Sequence, residues 1–156
     1  MTDKQFNFWQ KWLTYANMLT IIVGILVAFV GNSIFFELHN DYTKDVFFSS
    51  LELEPEVLKL KNWLFGIIGA TIIGFHVLMV MISENAFKNK EIWAYKAMWF
   101  GLLSWFVVDS SISFYYGAIH NIILINLVAL LLIGLPLIMT RKVFIKVILF
   151  HYLCDL

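Results

Sequence analysis

The chain has 156 residues, of which 61% are hydrophobic and 14% are charged, and its formal net charge is zero. Soluble domains carry about 25% charged residues, so the composition indicates an integral membrane protein, which we treat as one domain over residues 1–156. Zero net charge without a Lys/Arg cluster argues against nucleic acid as a partner. The single cysteine excludes an intrachain disulfide.

Four apolar runs predict membrane-spanning helices over about residues 12–30, 63–82, 93–116 and 119–139. Each run is close to the roughly 20 residues that cross about 30 Å of hydrocarbon at 1.5 Å per residue. Backbone amides must be paired inside hydrocarbon, and the runs do not alternate between polar and apolar residues, so helices are expected rather than strands. The sequence therefore predicts an all-α, multi-pass four-helix bundle.

The positions of Lys and Arg predict how the bundle is oriented. Basic residues mark the N-terminal segment, the connection between the second and third runs, and the C-terminal tail, whereas residues 31–62 carry six acidic residues against three lysines. The positive-inside rule then places both termini in the cytoplasm and residues 31–62 outside it. We expect a bacterial cytoplasmic (inner) membrane protein.

The long connection and the tail each allow two interpretations. Pro55 is typical of a helix start, so a short helix is expected to lead from residues 31–62 into the second span. We expect this segment to fold back as a cap over one bundle end, the alternative being an interfacial loop with dipping aromatic side chains. The tail, residues 140–156, either lies along the interface or continues the fourth helix past Pro136.

Asp109 is the only carboxylate in the four apolar runs. An ionised Asp near the bilayer centre costs about 2.5–3.5 kcal/mol, so the side chain is expected to be shielded by other helices, neutralised or used. Antiparallel neighbours share depth about their turn, which places Asn126 level with Asp109. Ser113 and Tyr116 follow Asp109 on its own helical face, and Trp105 precedes it by four residues. These residues predict either an outward-facing ligand pocket or an Asp–Asn hydrogen bond that locks a helical hairpin.

A second, deeper polar layer is predicted around His76, with Asn17 and Ser104 at similar depth. A lone histidine in a membrane helix is more often a hydrogen-bonded core residue than a proton carrier, and both interpretations stay open. Small residues are expected where helices pack closely, in a small-xxx-small row and at the depth of Asp109. They are Gly24, Gly66, Ala70 and Gly74.

The sequence gives little support for cofactors or for catalysis. His76 and His120 lie at different depths, so they cannot share one haem iron. The ending His151, Cys154 and Asp155 is weak evidence for a metal. No nucleophile elbow, His-Glu-x-x-His helix or phosphate loop is present. We expect no cofactor, no metal and no catalytic residue.

Three functions are compatible with these patterns. The first is a non-enzymatic membrane protein that binds or passes a small apolar or amphipathic ligand through the pocket around Asp109. The second is an accessory or scaffold subunit, which packs against a membrane partner or a second copy through the row of small residues. The third is an isomerase acting on membrane lipid, for which the second acid–base group is not evident.

Overall fold

The protein is all-helical over the residues that the structure, a computed structural model, describes, which are 1–49 and 52–154, with side chains as far as Ile145. The helices in chain order are α1 Asp3–Val30, α2 Glu37–Phe48, α3 Pro55–Ile82, α4 Ile92–Tyr115, α5 Ile119–Asn121 and α6 Leu127–Cys154. Two π turns extend them: the first, Ser83–Phe87, follows α3, and the second, Ile122–Asn126, joins α5 to α6.

Four helical segments are long and apolar enough to cross a membrane, as the sequence predicted. They are Asp3–Val30, Pro55–Phe87, Ile92–Tyr115 and Ile119–Ile145. The first begins well before the predicted start because a capping box stabilises its first turn. Thr2 Oγ1 accepts a hydrogen bond from the backbone of Gln5, whose side chain accepts one from the Thr2 backbone.

The hydrophobic core lies at the end of the bundle where α1 begins, which we call the terminal end. The Phe6 ring lies 5.8 Å from that of Phe87, and the Phe87 ring lies 4.9 Å from that of Phe144. Met98 and Leu102 of α4 complete the buried cluster. Beyond this cluster, α1 packs along α3, and α6 packs against both α1 and α4. Near Asp109, α4 contacts α5 and the second π turn, which connect it to α6.

The close contact between α1 and α3 is made by Gly24 and Gly69. A Cβ atom on Gly69 would lie only 2.5 Å from the carbonyl oxygen of Gly24, whereas one on Gly66 or Gly74 would meet no atom within 4 Å, and Ala70 is exposed. The expected row therefore does not pack against another helix of this chain. Contact between that row and a partner stays a prediction.

Helix α2 lies within the long connection and is docked at both of its sides. Asn40 Nδ2 donates to the carbonyl oxygen of Gly31 at 2.9 Å, and Asn40 Oδ1 accepts from Lys61 Nζ at 3.0 Å. On the other side, the ring of His39 lies 5.1 Å from that of His120 next to α4. The helix predicted to start at Pro55 is the first turn of α3 itself and not a separate element.

The tail continues the last helix through Cys154, which agrees with one of the two predicted alternatives. Pro136 lies inside α6 and has no N–H group, so it cannot donate the usual helical hydrogen bond to the carbonyl oxygen of Leu132, four residues earlier. Trp12 Nε1 of α1 donates a hydrogen bond to that oxygen at 3.1 Å. The Trp12 indole thus joins two helices.

Candidate functional site

Asp109 lies six residues before the end of α4 at Tyr115, or about 9 Å along the helix axis. It therefore lies in the half of α4 that ends at Tyr115, about midway between the middle of the helix and its end. The side chain is half-buried.

Three donors converge on one oxygen of the Asp109 carboxylate. Oδ1 accepts from Asn126 Nδ2 at 2.7 Å, from Asn121 Nδ2 at 2.8 Å and from Ser113 Oγ at 3.3 Å. Oδ2 accepts no hydrogen bond from the described residues. The hydrogen bonds to Oδ1 thus hold the carboxylate in one orientation, and Oδ2 remains available as an acceptor.

The second π turn brings the two asparagines to the same carboxylate. Side chains five residues apart in an α-helix point in directions that differ by about 140°, because an α-helix has 3.6 residues per turn. In a π turn the backbone hydrogen bond spans five residues, so positions i and i+5 lie above one another. Asn121 and Asn126 are related in this way, and both reach Asp109.

Asn126 is fully buried, yet only one end of its amide is paired. Nδ2 donates to Asp109 Oδ1 and to Ser110 Oγ, the second bond being 3.0 Å long. Both hydrogens are therefore used, which fixes the orientation of the amide. Oδ1 is buried and has no hydrogen-bond partner among the residues that the structure describes. An unpaired buried acceptor costs about 1–3 kcal/mol, so this atom is the most unusual feature of the site.

Helix α2 reaches the same cluster through His39. Both amide hydrogens of Asn121 are engaged, by Asp109 and by Ser113 Oγ at 2.9 Å. The hydrogen bond between the His39 and Asn121 side chains therefore uses the Asn121 oxygen as acceptor. Burial, followed by the neighbouring His120 imidazole, lowers the pKa of His39 below its ordinary value. His39 is thus neutral near pH 7 and does not balance the charge of Asp109.

The other residues predicted for this site lie elsewhere. Tyr116 is exposed and packs its ring 6.3 Å from that of Phe47 on α2. Trp105 packs against the hydrophobic core. The sequence did not assign Asn121 to this site, and it offered no signal for His39, because that residue comes from a distant part of the chain.

The deeper polar layer is a pair and not a trio. His76 Nδ1 lies 2.7 Å from Asn17 Oδ1, and Asn17 Nδ2 donates to the carbonyl oxygen of Leu13. Since that carbonyl can only accept, the Asn17 oxygen faces His76, and the Nδ1 atom of His76 carries the hydrogen. Ser104 is exposed and donates to the Phe100 carbonyl oxygen of its own helix, so it does not join them.

A further polar cluster, which the sequence analysis missed, lies at the first π turn. Glu84 Oε1 accepts from Thr14 Oγ1 at 2.7 Å and from Gln10 Nε2 at 3.0 Å. Thr14 Oγ1 also lies 2.9 Å from Ser83 Oγ. The i, i+4 spacing of Gln10 and Thr14 on α1 is the only signal that the sequence offered for it.

An apolar groove runs along α4 beside the Asp109 cluster, between that helix and the second π turn. It is lined by Phe106, Val107, Ser110, Ser111, Phe114, Tyr115 and Ile122. Ser110 belongs to both features, since its hydroxyl oxygen accepts the hydrogen bond from Asn126. The groove and the polar cluster therefore adjoin each other at this hydroxyl.

The four long apolar helices define the class of the molecule as a multi-pass membrane protein. Comparisons with protein families, with curated proteins and with solved structures gave no match for this chain. Among the described residues, no group of three or more His, Cys, Asp or Glu side chains is arranged to hold a metal ion.

Proposed function

We propose that this protein binds or passes a small ligand through a polar pocket around Asp109, which opens toward the extracytoplasmic side of the membrane. The observation that carries the proposal is the buried Asn126 oxygen without a partner, next to a carboxylate that still has an oxygen to offer. A hydrogen-bonded lock between two helices is expected to satisfy all of its buried groups. This cluster leaves one buried acceptor, Asn126 Oδ1, without a partner among the described residues, which favours the pocket over the lock.

Cysteine labelling tests the pocket without knowledge of the ligand. With Cys154 replaced by serine, Ser110→Cys is treated with membrane-impermeant thiosulfonate reagents carrying an ammonium or a sulfonate group. We expect labelling from the extracytoplasmic side, faster with the ammonium reagent because the Asp109 carboxylate attracts it. Adding Asp109→Asn should remove that difference.

Ser104→Cys is the matched control, because Ser104 is an exposed serine of the same helix that bonds only to its own backbone. Reaction of Ser110→Cys no faster than that of Ser104→Cys would contradict an aqueous pocket. Reaction only from the cytoplasmic side would contradict the proposed orientation. Equal rates with the two reagents would exclude a role for the charge of Asp109.

A second function is favoured by a different observation. The face of α3 that carries Gly66 and Gly74 is open within this chain, since neither glycine has a neighbour in its Cβ direction. Such a face suits close packing against another membrane helix, as an accessory or scaffold subunit requires. Under this alternative, Gly74→Leu abolishes crosslinking to the partner in native membranes, whereas Asp109→Asn has little effect.

An isomerase is the least supported of the three functions. It needs an acid and a base that reach one substrate, and the ionisable group nearest to Asp109 through hydrogen bonds is His39. Asn121 stands between them, and its amide donates and accepts hydrogen bonds but does not ionise. We therefore do not assign a catalytic residue.

A further inference from the structure

We infer, building on the proposed function, that the ligand is a single-chain amphiphile with a primary ammonium head, which binds at Asp109 and Asn126 while its aliphatic tail lies in the groove along α4. Separate features of the molecule select the head and the tail of the ligand. The head follows from which hydrogen-bonding groups of the cluster are still available. The tail follows from the walls of the groove and their position in the membrane.

Apart from the Ser110 hydroxyl hydrogen, the groups of the cluster that are still available are acceptors. The amide hydrogens of Asn121 and Asn126 are spent on Asp109 Oδ1 and on serine hydroxyls, and the Ser113 hydroxyl donates to the same Oδ1. What remains is Asp109 Oδ2 and the buried Asn126 Oδ1. A group that completes these two positions must donate, which excludes carboxylates, phosphates and carbonyls as the head.

The charge of the cluster selects among donors. No ion pair within the described residues involves Asp109, and the lowered pKa of His39 keeps that neighbour neutral near pH 7. A primary ammonium brings three N–H donors and the missing positive charge, so it forms charge-assisted hydrogen bonds with the carboxylate. An alcohol offers one donor and no charge, and it leaves the Asp109 carboxylate unbalanced.

The groove fits an aliphatic chain that arrives from the membrane. Its walls are mostly apolar, and the side chains of Val107 and Phe114 are 58% and 72% exposed. The polar part of the groove is formed by Ser110 and Ser111 in the middle of its lining, and the Ser110 hydroxyl is one hydrogen bond from Asn126. Because Asp109 lies about 9 Å from the helix end, a head bound there sits between that end and the middle of the span, with its tail running along Phe106 and Val107 toward the bilayer centre.

The test uses the full chain in nanodiscs of zwitterionic lipid, with decylamine, decanol and decanoate as probes. Binding is measured by calorimetry, and the signal from empty nanodiscs is subtracted because all three amphiphiles partition into lipid. Charge-assisted hydrogen bonds contribute about 1.5–3 kcal/mol, so we expect decylamine to bind at least about tenfold more tightly than decanol. Decanoate should not bind above background.

Two variants separate the head from the tail. Asp109→Asn should abolish the preference for decylamine, and Val107→Trp should weaken binding of decylamine by filling the groove. Val108→Trp is the matched control, since Val108 is also 58% exposed but does not line the groove. Decylamine should also protect Ser110→Cys from labelling, whereas decanoate should not.

Equal binding of decylamine and decanol, or a preference that survives Asp109→Asn, overturns the ammonium head. Equal effects of Val107→Trp and Val108→Trp overturn the assigned tail groove. Either result leaves the labelling pattern of Ser110→Cys intact, so the failure of this inference is distinguishable from failure of the pocket itself.

Discussion

Replacing Trp12 with phenylalanine tests how the last helix tolerates its internal proline. The variant removes the indole N–H that lies 3.1 Å from the Leu132 carbonyl oxygen, and Pro136 cannot donate the usual helical hydrogen bond to that oxygen. An unsatisfied buried acceptor costs about 1–3 kcal/mol. Measured interhelical hydrogen bonds in membranes average nearer 0.6 kcal/mol. We therefore expect Trp12→Phe to lower the free energy of unfolding by about 1 kcal/mol.

Pro136→Ala supplies the control, because alanine restores the backbone N–H that the Leu132 carbonyl lacks. In that background Trp12→Phe should lose only ring contacts, so the double-mutant cycle should show a coupling of about 1 kcal/mol. Reversible unfolding in mixed micelles, followed by circular dichroism, measures it. Trp63→Phe, at a residue 62% exposed, controls for the loss of an indole. If Trp12→Phe costs the same with proline and with alanine at position 136, the indole does not compensate for the proline.

Two further predictions concern the helix contacts at the other end of the bundle. Gly69→Ala should lower the free energy of unfolding by about 1–3 kcal/mol in the same assay, because its Cβ would lie 2.5 Å from the Gly24 carbonyl oxygen. Gly74→Ala is the control and should be neutral or slightly stabilising, because its Cβ meets no atom within 4 Å. Equal effects of the two variants would contradict the assigned contact between α1 and α3. Acidification should release α2, because the docked state lowers the pKa of His39 through burial and through His120, and so binds fewer protons than the undocked state. Docking is then fully retained above the ordinary histidine pKa of about 6.5 and weakens as the pH falls below it. Hydrogen exchange of the α2 amides should show this. His39→Gln should weaken the pH dependence without removing it, because the His120 imidazole still contacts α2. An unchanged pH dependence in that variant would rule out His39 as a source.

Hydropathy alone predicted the four spanning helices, because span length and apolar composition follow directly from bilayer thickness. Depth counting also placed Asn126 at the level of Asp109, and the structure joins them by a 2.7 Å hydrogen bond. The contact with Asn121 was not predictable in this way. Residues 121 and 126 do not share a face of an α-helix, and only the π turn brings them together.

The seam between α1 and α3 shows a different limit of sequence reasoning. Helix α3 has small residues on two faces, one with Gly66 and Gly74 and the other with Gly69. Spacing alone cannot decide between the faces, because each allows backbones to approach. The choice is made by Gly24, whose carbonyl oxygen lies against Gly69. That partner comes from another helix, so it belongs to tertiary packing and not to the local pattern.

The two π turns allow a structural polar cluster to be compared with one that we assign to a ligand. Each turn is rare in helices, and each directs polar side chains into a contact with a neighbouring helix. At the first turn, Glu84 receives hydrogen bonds from Gln10 and Thr14, and no buried atom of these residues is left without a partner. At the second turn, the Asn126 oxygen is left over although the amide nitrogen beside it makes two hydrogen bonds. Both turns stabilise helix contacts, but only the second keeps an acceptor that the protein itself does not satisfy. This difference is the physical reason to place ligand binding at Asp109 and to regard the first cluster as part of the scaffold.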